Sequence, residues 1–210
     1  MSEYTFPFDT CEKSNKTGVA QPYSALFNLI SCLIILFFLL KTKKLYTFLL
    51  LFSFFCFELF HVFSHIIHIN GLIQINITHS LSYLMNIAFF YAFYSYTKKL
   101  PSYGFMLYLL ILVCLDTYSF LYLSIIYYLT TQFSIFFSLL VYYFPLLPKF
   151  IKNRMYQILF FIILIILLFL NETYNCEKML QIYPAFPYHI FIEITGIIFF
   201  YIICSIFYKL

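Results

Sequence analysis

Polar positions are so sparse in this chain that they act as punctuation between long apolar runs. A hydrocarbon layer about 30 Å thick is crossed by roughly 20 helical residues, and runs of that order recur from residue 24 onward. The pattern predicts span 1 over Ser24–Leu40, span 2 over Leu45–Ile69 and span 3 over Leu72–Tyr96. After Lys98-Lys99-Leu100-Pro101-Ser102-Tyr103-Gly104, the apolar block to Leu147 is too long for one span and predicts spans 4 and 5. Their turn has two candidate places, Asp116-Thr117 or Thr130-Thr131-Gln132. Span 6 is expected over Met155–Leu170, a polar loop over Asn171–Lys178, and span 7 over Pro187–Tyr208. The expected fold is all-α: a polar N-terminal segment over 1–23, then a seven-transmembrane-helix bundle over 24–210.

Composition narrows the class. Of 210 residues, 64% are hydrophobic and 10% charged, against roughly 25% charged in soluble domains. Mean hydropathy is +0.94. No room remains for a separate soluble domain, and the net charge of +4 comes from lysines in short connections, so no nucleic-acid partner is expected. The basic residues also orient the bundle. Lys41, Lys43, Lys44, Lys98, Lys99, Lys149, Lys152, Arg154 and Lys209 fall on one side, and Lys13, Lys16 and Lys178 on the other. The positive-inside rule then places the N-terminus outside or in a lumen and the C-terminus in the cytosol. The N-terminal segment lacks the pattern of a cleavable signal, so span 1 is expected to direct insertion. The expected location is multi-pass in a membrane, the endoplasmic reticulum or Golgi in a eukaryote and the cell membrane in a bacterium.

Four of the five histidines, His61, His65, His68 and His79, lie between Glu58 and His79 in otherwise membrane-grade sequence. An ionisable side chain in a span is costly and marks a functional site by default. At helical spacing Glu58, His61, Ser64, His65 and His68 share a face. His189 stands four residues before Glu193 in the last span. The expected topology puts His68, His189 and Glu193 in one layer under the outer face, with His79 roughly 10 Å into span 3 at 1.5 Å per residue. Imidazole nitrogens and a carboxylate at that depth suit zinc, which leaves a position for water and favours amide or ester hydrolysis. The candidate zinc ligands are thus His68, His79, His189 and Glu193, with Ser64 nearby. The competing reading is hydrogen bonding between helices. It is the preferred one for His61 and His65 as an i,i+4 pair, and for Glu58; Asp116 reads as a turn cap.

Other polar stripes are ordinary bundle-facing patterns: Asn76, His79, Tyr83 and Asn86 on span 3, and Ser24, Asn28 and Ser31 on span 1. Cys32, Cys56, Cys114 and Cys204 lie in spans and read as small apolar residues. Cys11 and Cys176 both fall in polar segments on the outer side, where an oxidising compartment permits a disulfide. Asn15-Lys16-Thr17 and Asn171-Glu172-Thr173 are glycosylation sequons on that same side.

Four pieces of sequence, in order, resemble the alkaline ceramidase family within the seven-span hydrolase superfamily that includes the PAQR receptors. They are Cys11-Glu12 with Gln21-Pro22 and Asn28, Ser64-x3-His68, the polar loop ending at Cys176, and His189-x3-Glu193. The chain departs from the pattern at two places: His79 stands where the family has Asp, and Glu193 where it has a second His. The resemblance implies zinc held by His68 and His189, with Glu193 or His79 as third ligand. It places Ser64 close to the metal and its water, and gives the proton to Glu193 or His79. It also implies a calcium site at Asp9 and Glu12, where Gln21 replaces an expected carboxylate. The implied activity is cleavage of the amide of ceramide or a related membrane lipid. Two alternatives keep the same residues: a non-catalytic lipid-binding or receptor-like relative, and a small transporter, although no inverted repeat or broken helix supports the latter.

Overall fold

The computed structural model describes residues 11–12, 18–67, 71–122, 125–184 and 186–210, and the regular elements among them are all helical. They are α1 (Pro22–Leu39), α2 (Leu45–Ile66), α3 (Gly71–Thr97), α4 (Tyr103–Tyr122), α5 (Ile125–Tyr143), α6 (Lys149–Lys152), α7 (Met155–Ile182) and α8 (Ile190–Phe207). A 3-10 turn, Phe144–Leu146, joins α5 to the short α6. Among the described residues, five stretches are long and apolar enough to cross a bilayer: Pro22–Leu39, Leu45–Ile66, Tyr103–Tyr122, Lys149–Ile182 and Ile190–Phe207. That fits an integral membrane protein of the helical class. α3 is long but interrupted by Gln74, Asn76, Thr78, His79, Ser80, Ser82 and Asn86, which lower its apolarity. α5 is apolar over the shorter stretch Thr130–Leu146.

Local sequence explains where helices begin. Pro22 opens α1, where its missing N–H costs nothing. The Glu12 carboxylate accepts the next two N–H groups, Tyr23 and Ser24, each at 3.1 Å, and the Ser24 hydroxyl as well. A carboxylate there also complements the positive end of the helix dipole. α1 packs on α2 and α8, α2 on α3, α8 on α7, α5 on α3, and α4 on α5. Leu50, Leu51 and Phe54 of α2 meet Phe89, Ala92 and Phe93 of α3, and Ile203, Cys204 and Phe207 of α8, in one buried core. In a bilayer such contacts hold helices together by close packing rather than by expulsion of water. α4 and α7 turn large apolar side chains outward, among them Leu107, Ile111, Leu115, Phe160, Ile163 and Leu167.

Two expectations are corrected. The turn between the fourth and fifth helices lies at neither polar position, because α4 runs on to Tyr122 and α5 starts at Ile125. Asp116 and Thr131-Gln132 sit inside the two helices and face each other across the hairpin. Thr131 Oγ1 donates to Asp116 Oδ1 at 2.6 Å, and Gln132 Nε2 donates to Oδ2 at 2.7 Å. Polar residues that read as turn signals are partners within a pair of helices. Likewise the expected loop Asn171–Lys178 is part of α7, whose 28 residues extend about 42 Å, beyond a hydrocarbon core of roughly 30 Å. That segment has no Gly or Pro to stop it, and Asn175 Nδ2 donates to Asn171 Oδ1 one turn back.

The Asp116 network also reaches α3. His79 Nε2 lies 3.1 Å from Asp116 Oδ2, and Asn86 Nδ2 donates to Gln132 Oε1 at 2.8 Å. Asp116 is fully buried, so removing it strands several polar groups at once. Asp116→Ala is expected to destabilise the protein by about 1–3 kcal/mol, read as a lower unfolding midpoint in detergent, with Asp116→Asn falling in between. An unchanged midpoint for Asp116→Ala would show that this network does not hold α3, α4 and α5 together.

Candidate metal centre

At one end of the bundle the C-terminal turn of α2 meets the N-terminal turn of α8. His65 comes from the former, and His189 with Glu193 from the latter. All three are buried, His65 and His189 almost completely. The i,i+4 spacing puts His189 and Glu193 on one side of α8, with His189 Nε2 2.9 Å from Glu193 Oε1. His65 Nε2 approaches the same oxygen at 3.5 Å. One ligand atom from each residue lies within 4.8 Å of the other two. Two nitrogens that share a tetrahedral zinc ion with a carboxylate oxygen, at bonds of 2.0–2.2 Å, stand roughly 3.3 Å from that oxygen. The spacings found, 2.9 and 3.5 Å, bracket that value, so the donor set fits a small divalent ion.

The other nitrogen of each ring is held from elsewhere. His65 Nδ1 lies 2.6 Å from the side-chain oxygen of Gln21, just before α1. His189 Nδ1 lies 2.8 and 3.0 Å from the two oxygens of Glu172 on α7. Both partners are acceptors, so with a metal bound each ring would keep its proton on Nδ1 and leave Nε2 for the ion, whereas with no ion Glu193 is a second acceptor beside each ring. Cys11 and Cys176 form a disulfide, and the Cys11 N–H donates to Glu172 Oε1 at 3.1 Å. These links tie Cys11 to α7 at Glu172 and Cys176.

The remaining candidates are placed as follows. His68 and Asp9 lie outside the described residues. His79 does not join His189 and Glu193; it pairs with Asp116, and its ring stacks on Phe120 with centroids 4.0 Å apart. The Ser64 hydroxyl donates to the His61 carbonyl of its own helix at 2.8 Å. Glu12 caps α1 with its carboxylate, and its backbone oxygen accepts from Gln21 Nε2 at 3.1 Å. Glu58 and His61, expected to be packing residues, are buried together with Oε1 3.3 Å from Nδ1.

Two contributors are not singled out by the sequence. His65 reads as a packing residue because His61, His65 and His68 share one face and periodicity does not choose among them. Glu172 sat in an expected loop. On a helix it lies one turn before Cys176, on the same side, and that spacing is the signal that could have found it. Compared with known proteins, the chain matches no family model, no curated protein and no solved structure.

Ser64→Ala is expected to leave the unfolding midpoint and metal content unchanged, within about 0.5 kcal/mol, because that hydroxyl bonds its own helix backbone. Loss of bound metal in Ser64→Ala would return Ser64 to the centre.

Proposed function

We propose that this chain is a membrane-embedded, zinc-dependent amidohydrolase that cleaves the amide of ceramide or a related lipid. The observation that carries the reading is the convergence of His65 Nε2, His189 Nε2 and Glu193 Oε1 inside an apolar helical bundle. A zinc ion there would lower the pKa of a water to about 7 and polarise a carbonyl, the chemistry that amide hydrolysis needs. Three protein ligands leave a fourth position for water or substrate.

The protein's own part is to bind and to exclude. His65 and His189 offer Nε2, and Glu193 offers Oε1 at the N-terminal turn of α8, where the helix dipole favours an anion. Burial of all three keeps bulk water from competing for the site. The reading takes the chain as seven spans with its N-terminus outside, so that the centre lies just under the outer face, within reach of a lipid amide near the headgroup level. Support for the lipid substrate comes from the resemblance to alkaline ceramidases, although its Ser64-x3-His68 piece names a different histidine from His65. With His65 in the ligand role, the exchange of a histidine for Glu193 leaves two imidazoles and one carboxylate.

One observation favours the second reading, a non-catalytic lipid-binding relative without metal. His189 lies between two carboxylates, Glu172 and Glu193, which together would hold an imidazolium with no ion present. Fatty-acid release from ceramide in detergent micelles separates the two. The hydrolase reading expects turnover that is lost on zinc chelation, restored by zinc, and reduced to background by His189→Ala. Folded protein that releases no fatty acid from ceramide or simpler lipid amides supports the second reading.

A further inference from the structure

We infer that Gln21 and Glu172 are positioning residues for the two imidazoles, and that the Cys11–Cys176 disulfide sets metal affinity by holding Glu172 in place. The inference rests on the metal reading above and deepens it.

Each imidazole is oriented by a group from a different element. A histidine that presents Nε2 to a metal needs its Nδ1 proton received by an acceptor, which fixes the tautomer and raises the basicity of the ligating nitrogen. Gln21 supplies that acceptor to His65 and Glu172 supplies it to His189. The two are not equivalent, since a carboxylate withdraws the proton more strongly than an amide oxygen does.

Both acceptors are anchored to the same N-terminal segment. The Gln21 N–H donates to the His65 carbonyl at 2.8 Å, and the Ala20 N–H to the Ile66 carbonyl at 3.1 Å. Those carbonyls belong to the last turn of α2, where no intrahelical donor remains. Gln21 Nε2 holds the Glu12 carbonyl, next to Cys11. Cys11 in turn holds Glu172 twice, by its N–H and by a covalent bond to Cys176, one turn further along α7. Glu172 is almost fully buried and so depends on these partners for its orientation. Without the disulfide, the Cys11 N–H has no covalent hold on α7, and the carboxylate that orients His189 loses a donor.

Full-length protein purified in detergent, with Co2+ as the probe, tests the inference through affinity and the visible spectrum of the bound ion. Glu172→Gln keeps an acceptor oxygen and is expected to lose about 10-fold in Co2+ affinity, and Glu172→Leu about 100-fold. Gln21→Leu is expected to weaken binding and shift the spectrum. The Cys11→Ser/Cys176→Ser double variant is expected to weaken binding in the wild-type background and to have a smaller effect on top of Glu172→Leu, since both changes remove the same support. A residue that only stabilises the fold would lower the unfolding midpoint without this graded order of affinities. Equal affinities across Glu, Gln and Leu at position 172, with Co2+ bound in each, would overturn the inference and leave the ligand assignment standing. Failure of the wild type to bind Co2+ would overturn both.

Discussion

Hydrocarbon offers no hydrogen bonds, so every polar group carried into this bundle must be answered by another part of the chain. Most of the architecture follows from that constraint. The apolar positions build the helices and pack Phe54, Phe89, Phe93 and Phe207 into one core, but such contacts are nonspecific about which helix meets which. The polar residues supply the choice. Asp116 finds Thr131, Gln132 and His79, which ties α4 to α5 and α3. His65, His189 and Glu193 find one another and bring the end of α2 to the start of α8.

The two networks differ in what they can do. Around Asp116, Thr131, Gln132 and His79 all bond one carboxylate, and the result is an interhelical clamp. At the α2–α8 junction, two ring nitrogens and a carboxylate oxygen point at a common place while the far sides of both rings are held by Gln21 and Glu172. Convergence of these groups on one point, backed by acceptors behind the rings, is the arrangement on which the metal reading rests. The disulfide and the Glu12 cap on α1 fix the segment that completes this arrangement.

The helical class and most helix positions were legible in the sequence, because hydropathy and short basic connections mark membrane helices strongly. Errors arose where polar residues had two meanings. Asp116 and Thr130–Gln132 looked like turn signals but are partners inside a helix pair, and only tertiary structure distinguishes the cases. Asn171–Lys178 looked like a loop, yet a helix long enough to leave the hydrocarbon can carry such residues in its last turns. In the site, His189 and Glu193 were legible because both lie on one helix at fixed spacing. The α2 residue that meets them, His65, was not. Three histidines share that face, and the choice among them depends on how the helix is seated against α1 and α8. His79 was drawn into the candidate set by depth and by its place in the family pattern, whereas its partner Asp116 lies 37 residues away along the chain.

Zinc content is the most direct test, measured by mass spectrometry on protein purified without chelators, wild type beside His65→Ala. The proposed function predicts about one zinc per chain in the wild type, as expected of a single site with three protein ligands, and loss of that zinc in a His65→Ala variant that remains folded. Absence of stoichiometric metal from the wild type, or full retention by His65→Ala, would contradict the assignment of His65, His189 and Glu193 as a metal centre.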